Sequence, residues 1–259
     1  MKYPNPYRLM NAGFTLVEMA MVLIIVALLL GGLLPTLSSQ VEQRHENDTR
    51  KQLDDIQQAL IGYAIINGRL PCPATPTSNG AESPAGGGNC TSFSNGSFVG
   101  YIPAATLGLT GSTSSGLVLD SWGNPIRYAA SSATATVAGF NSGATFNVFT
   151  FPGGIGAVGI SNLSPNLYVC STSQGISGSS CGSGFSLTTN GVPAVILSTG
   201  KNGPSGSGAD EQANLGNDKT FVNHIPSPSG ATYGAFDDIM IWISPNVLIN
   251  RMVAAGKLP

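Results

Sequence analysis

Charged side chains are scarce in this sequence. Asp, Glu, Lys and Arg make up 9% of the 259 residues, and the formal net charge is −2. Between residues 71 and 200 the charged residues are Glu82, Asp120 and Arg127 alone. A chain without a basic field cannot hold nucleic acid by electrostatic attraction, so nucleic acid is excluded as a main partner. The surface of this stretch must instead present hydroxyl and amide groups, a composition that suits an exported β-rich protein.

Side chains that carry out enzymatic chemistry are also few. The two histidines, His45 and His224, are far apart in the sequence. Neither the G-x-S-x-G motif of a nucleophilic serine nor the H-E-x-x-H motif of a zinc enzyme is present. The serines fall in low-complexity segments rather than beside a candidate base. We therefore expect no catalytic residues and a non-enzymatic role, with both histidines at the surface.

Cysteine is limited to four residues. The even count and the absence of a C-x-x-C pair favour two disulfides over a zinc site, and disulfides require an oxidising compartment. Four cysteines allow three connectivities, and the sequence does not choose among them. The simplest pairing joins nearest neighbours, Cys72 with Cys90 and Cys170 with Cys181.

One long apolar run stands near the start of the chain, "GFTLVEMAMVLIIVALLLGG" at residues 13–32. From Phe14 to Leu34 the run is interrupted by polar side chains only at Thr15 and Glu18, and Lys2 precedes it without a nearby acid. As a helix the run is long enough to cross a hydrocarbon core of about 30 Å. The basic flank predicts that the amino terminus lies in the cytoplasm.

An amphipathic pattern follows over residues 35–69. Leu53, Ile56 and Leu60 recur three and four residues apart among charged neighbours, which is typical of a helix with one buried stripe. Asn67 and Gly68 mark its end. Together the two segments predict one helix of about 50 residues, which is roughly 80 Å long at a rise of 1.5 Å per residue. We expect a kink at Pro35, because proline removes a helical hydrogen bond.

Short apolar runs separated by turn residues fill most of the rest, which indicates strands. The predicted fold is α+β: a long kinked amino-terminal helix, with a membrane half and an amphipathic half, packed on a mainly antiparallel β-sheet with long loops. A short helix is predicted at 246–255. The predicted parts are a leader at 1–13, a membrane helix at 14–34, an amphipathic helix at 35–69 and a β-rich head at 70–259.

The segment 13–32 resembles the amino-terminal motif of the type IV pilins and of the pseudopilins of type II secretion. A short basic leader ends in Gly13, Phe14 follows, and Glu18 is the fifth residue from that Phe. The resemblance implies that a prepilin peptidase cuts between Gly13 and Phe14 and methylates the new amine. It also implies that Pro35 matches the helix-kinking proline of many pilins.

In this family the amine of Phe14 in one subunit lies near the carboxylate of Glu18 in a neighbour. A carboxylate left alone in an apolar core is unfavourable, so the pairing would favour docking of a processed subunit. The alternative is that Glu18 lies in the headgroup layer of a plain signal anchor, where a charge is tolerated.

Two further segments resemble the major pseudopilin group. "LDSWGNPIRYAA" at 119–130 is similar to its D-x-W-G-N-P-x-x-Y turn, and the Gly-rich loop at 196–218 is similar to one that wraps calcium in that group. Oxygen-rich flexible loops suit that hard cation; the alternative is a solvated acidic loop. Asp237 and Asp238 are adjacent, so on a strand only one could reach a shared ion. The predicted calcium ligands are Asn202, Asp210, Glu211, Asn214 and Asp218.

The resemblance implies a structural subunit of a type IV pilus-like or type II secretion pseudopilus filament. Its expected location is the bacterial inner membrane, as a single pass with a periplasmic head, before it joins a periplasmic or extracellular filament. The expected partners are copies of itself or other pilins, the prepilin peptidase, an inner-membrane assembly platform and, before assembly, membrane lipid. The alternative is a minor or tip pilin that acts as a binding or assembly-initiating module.

Overall fold

The computed structural model describes residues 13–90, 98–188 and 190–258, and for 30–37 it describes the backbone alone. The predicted leader therefore lies outside the described residues, apart from Gly13. The chain divides into two compact units, Met1–Arg44 and His45–Pro259.

The first element is α1, Leu16–Asn67, which contains the boundary between the units. Within the part of the chain that the structure describes, no helix combines the length and the apolar character needed to cross a membrane. The predicted membrane-spanning helix at 14–34, the membrane half of the predicted fold and the single-pass inner-membrane location are therefore wrong. The predicted kink at Pro35 stays a prediction, because the side chain of Pro35 lies outside the described residues.

The second unit is an α+β domain built on a four-stranded antiparallel sheet. The strand order is β1-β2-β6-β8, and β6 pairs with β8 over its full length and with β2 over all but its last residue. The predicted antiparallel pairing is seen here, whereas β5 and β7 pair in parallel. The strands are β1 Val99–Tyr101, β2 Arg127–Ala130, β3 Thr134–Ala135, β4 Phe146–Asn147, β5 Tyr168–Cys170, β6 Ala194–Ser198, β7 Thr220–Val222 and β8 Ile239–Ile243.

Four α-helices follow α1 among the described residues, and three of them lie where no helix was predicted. They are short, so their apolar period is too brief to detect in the sequence. The fourth, α5, coincides with the predicted helix at 246–255. Their bounds are α2 Ala104–Leu107, α3 Gly154–Val158, α4 Ala209–Leu215 and α5 Pro245–Ala254.

The apolar stripe of α1 forms part of the main core. Leu53, Leu60 and Ala64 are fully buried, in one cluster with Tyr128 of β2 and Ile196 of β6. Each large apolar side chain buried in this way contributes about 1.5–3 kcal/mol. A second cluster, which includes Val195 of β6, packs on the opposite face of the sheet, because successive strand residues point to opposite faces.

Two covalent links and one ion pair hold the loops of this unit. Disulfides join Cys72 to Cys90 and Cys170 to Cys181, which confirms the predicted disulfides and selects the nearest-neighbour pairing.

The buried ion pair joins the end of α1 to the first disulfide loop. The Arg69 guanidinium donates two hydrogen bonds of 2.7 Å to the Glu82 carboxylate, and both residues are buried. Burial alone would raise the pKa of Glu82, but hydrogen bonds from Arg69 and from the Cys72 N–H lower it below its usual value. Glu82, one of the three charged residues between 71 and 200, thus belongs to a buried ion pair.

Candidate functional site

The first candidate site is the start of α1, where the predicted processing and assembly residues lie. Gly13 and Phe14 are exposed, so the predicted scissile bond is accessible. Glu18 Oε2 accepts hydrogen bonds from the Thr15 N–H at 2.9 Å and from Thr15 Oγ1 at 2.8 Å. In return, the Glu18 N–H donates to Thr15 Oγ1 at 3.2 Å.

This reciprocal arrangement is a capping box, in which the residue before a helix and the third helical residue satisfy each other's backbone N–H groups. The hydrogen bonds from Thr15 lower the pKa of the Glu18 carboxyl. Sequence reasoning assigned Glu18 to assembly alone and missed this role, although the T-x-x-E spacing of "TLVE" signals it. Within the described chain, Glu18 Oε1 has no hydrogen-bond partner.

The second candidate site is a buried acidic cluster of Glu211, Asp237 and Asp238. One carboxylate oxygen from each of the three residues lies within 4.8 Å of the others. Glu211 comes from α4, and the two aspartates come directly before β8. Glu211 and Asp238 are 2% and 5% exposed.

The turn at 120–125 helps to place this cluster. Asp120 accepts hydrogen bonds from the N–H groups of Trp122 and Asn124, and also from Ser198 Oγ at the end of β6. Asn124 Nδ2 then donates to the Gly200 carbonyl at 2.7 Å. The turn therefore fixes the loop after β6, which carries Asn202.

Backbone and amide donors orient the Glu211 carboxylate. Its Oε1 accepts from Asn202 Nδ2 at 2.7 Å and from the Asp237 N–H at 3.2 Å, and its Oε2 accepts from the Gly208 N–H at 3.3 Å. A Cβ on Gly206 would lie 2.5 Å from Glu211 Oε2. Only glycine permits this close approach of the loop to the carboxylate.

The electrostatics of the cluster disfavour three negative charges together. Burial raises the pKa of Asp238 to about 7, and the nearby charges of Glu211 and Asp237 raise it as well, against hydrogen bonding from Asn214 and the charge of Arg127. Burial also raises the pKa of Asp237 to about 6, with a further contribution from Glu211 and an opposing hydrogen bond from the Asn202 N–H. A cation among these oxygens would relieve the repulsion.

Two buried oxygen atoms support the fit to a hard cation. Asn202 Oδ1 and Asp237 Oδ1 are buried and accept no hydrogen bond from the described residues. Buried polar atoms normally have a partner, and Ca²⁺ binds oxygen ligands at about 2.3–2.6 Å. Oxygens up to 4.8 Å apart can therefore share one such ion, and the residues present fit a calcium site.

The structure brings together only part of the predicted ligand set. Glu211 is one of the three cluster residues, and Asn202 lies beside them and donates a hydrogen bond to Glu211. Asn214 lies beside it, but its Oδ1 accepts from the Val222 N–H and its Nδ2 donates to Asp238. Asp210 instead bonds His224 Nε2 at 3.0 Å, and Asp218 Oδ1 accepts from the Thr220 N–H.

The difference has a local cause. Residues 209–215 form helix α4 rather than an open loop, so adjacent Asp210 and Glu211 point in different directions. Asp237 and Asp238 both reach the cluster, against expectation, because they precede β8 and do not have the alternating geometry of a strand. The adjacent aspartates in "FDDIMIW" are the sequence feature that could have indicated their place in the acidic cluster.

The chain matches no family model, no curated protein and no solved structure.

Proposed function

We propose that this protein is a pilin-like filament subunit whose copies pack through the first part of α1. The observation that carries the proposal is an apolar helix surface that is exposed among the described residues. Phe14 and Leu16 are 83% and 88% exposed, and the large apolar side chains that follow as far as Leu29 are also exposed.

A helix that is apolar all round is normally buried, and exposed apolar patches of this kind mark interaction sites. Burying one such side chain contributes about 1.5–3 kcal/mol, whereas association costs about 4–15 kcal/mol in lost freedom. Several side chains must therefore be covered at once, which packing of one helix along others achieves.

The charge at Glu18 supports the same proposal. In the uncut chain its Oε2 is used by the capping box, which leaves Oε1 able to accept from the Phe14 amine of a neighbouring copy. A hydrogen bond to a charged group contributes about 1.5–3 kcal/mol. Cleavage between Gly13 and Phe14, as the pilin resemblance implies, would create that amine.

We propose in addition that the acidic cluster binds calcium and stabilises the His45–Pro259 unit. Glu211, Asp237 and Asp238 would supply carboxylate oxygens, and Asn202 would supply its unpartnered Oδ1. The ion would add positive charge where three carboxylates meet, a role that suits a structural subunit.

The deciding experiment combines processing and assembly in cells that carry a pilus assembly machinery. Mass spectrometry should find a mature chain that begins at Phe14, and electron microscopy should show filaments that contain it. The variant Glu18→Gln retains the capping box, because Gln also caps at this position, but it removes the charge. We expect normal processing and filament yield reduced by about tenfold or more.

The matched control is Asp48→Asn, an exposed carboxylate of α1, which should assemble normally. Wild-type filament yield from Glu18→Gln would refute the pairing. A mature chain that does not begin at Phe14 would refute the family proposal. Incorporation only beside other pilins would identify a minor subunit.

A further inference from the structure

A groove of about 950 Å³ lies on the second unit, and none of the three acidic cluster residues lines it. Its walls come from the segment after α3, the segment before β6, Trp242 of β8 and the first turns of α5. The volume is near the upper end of ligand pockets, which span about 300–1,000 Å³.

Among the described residues that line this groove, none carries a charge; the polar ones are hydroxyls and amides, including Asn162, Asn190 and Asn246. Sites for nucleic acid and strong carboxylate or phosphate sites commonly supply Lys or Arg side chains. The described walls contain none, so the groove favours an uncharged ligand.

Some polar side chains of the groove are already paired, since Asn162 Nδ2 donates to the Val158 carbonyl and Thr188 Oγ1 accepts from the Val169 N–H, whereas two amides are available for binding. Asn190 and Asn246 are exposed, and neither side chain hydrogen-bonds to another described residue. Ser244 precedes α5, but its side chain makes no capping hydrogen bond. An amide both donates and accepts, which matches the hydroxyl groups of a sugar, since each of these also does both.

Trp242 supplies the aromatic component. Its side chain is half-buried, packed on the second apolar cluster while it also lines the groove. Its backbone carbonyl accepts from Gln57 Nε2 of α1 at 2.9 Å, which fixes this part of β8. The face of an indole ring carries negative potential, so it attracts the positively polarised C–H groups of a sugar ring.

We infer that this groove is a binding site for an uncharged oligosaccharide. The half-buried indole, the amides of Asn190 and Asn246 without partners among the described residues, and the lack of charge in the described walls favour such a ligand over anions and over purely apolar molecules. The size of the groove favours an oligomer over a single sugar. The inference is independent of filament assembly, because it uses none of the residues of the first unit.

The test is isothermal titration of the purified full-length chain with cellotetraose, maltotetraose and chitotetraose, with tetragalacturonate as the charged comparison. We expect saturable binding of at least one neutral tetramer and none of tetragalacturonate. Asn190→Ala and Asn246→Ala should each weaken binding by about fivefold, which corresponds to one net hydrogen bond. The two losses of binding free energy should add in the double variant, because the two residues belong to different segments.

The matched control is Asn250→Ala, which changes an exposed residue of α5 that does not line the groove and should bind as the wild type does. Trp242→Phe tests the stacking surface with less risk to the core than Trp242→Ala. Failure of all three neutral tetramers to bind would overturn the inference. Wild-type affinity of the Asn190, Asn246 double variant, or equally tight binding of tetragalacturonate, would overturn it too.

Discussion

Raising the pH from about 5 to about 8 in metal-free buffer should lower the free energy of unfolding of this protein, and Asp238 should account for most of the change. Its pKa in the folded protein is about 7, against 3.8 for an ordinary aspartate. Between these two values the folded state binds more protons than the unfolded state. The stability that Asp238 contributes is therefore fully present below its unfolded pKa and is lost as the pH rises through the folded pKa.

The expected magnitude follows from that difference. One pKa unit corresponds to about 1.36 kcal/mol, so the loss between pH 5 and pH 8 is about 3 kcal/mol. Asp237 adds a change of the same sign, since its pKa is also raised, to about 6. Calcium binds the ionised carboxylates, so it should stabilise the chain more at pH 8 than at pH 5 and flatten the curve.

The assay is urea unfolding of the full-length chain at several pH values, with and without calcium. Asp238→Asn should remove most of the pH dependence and most of the calcium effect. The control Asp55→Asn, an exposed carboxylate of α1, should change neither. The reasoning about the cluster is refuted if metal-free stability stays constant or rises over this range. A calcium effect that persists unchanged in Asp238→Asn would place the ion elsewhere.

Two further predictions concern the stability of the second unit. Arg69→Ala leaves Glu82 buried without its partner, so urea unfolding should show a loss of about 3–5 kcal/mol, whereas exposed Arg50→Ala should change stability by less than about 0.5 kcal/mol; equal effects of the two variants would contradict the buried pair. Replacing both Cys72 and Cys90 with Ser should lower stability by about 3 kcal/mol, because the disulfide closes a loop across 18 residues, and an unchanged urea midpoint would show that the crosslink contributes nothing.

Several features followed from local sequence. The spacing of Leu53, Ile56 and Leu60 predicts which face of α1 is buried, because the helical period alone places them on one side. The even number of cysteines predicts disulfides, and the nearest-neighbour pairing is the one found. The apolar runs that became β6 and β8 were recognisable because they are short, β-branched and bounded by turn residues.

Other features could not be predicted from the residues at hand. The membrane-spanning prediction at 14–34 was wrong, because no helix among the described residues is long and apolar enough to cross a membrane. The capping role of Glu18 is an exception: it was missed although the T-x-x-E spacing of residues 15–18 indicates it. Helix α4 was read as a loop because it is only 7 residues long.

The sequence by itself determined the local elements of this protein: the buried stripe of α1, the cysteines that form crosslinks, the turn at 120–125 and a nearly uncharged surface. Tertiary structure alone decided the composition of its sites. Glu211 and Asp237 are 26 residues apart in sequence, and they meet because β6 and β8 are neighbours in the sheet and α4 turns Asp210 away. The physical reason is that local propensity acts over a few residues, whereas a site collects side chains according to strand pairing and packing, which depend on the whole domain.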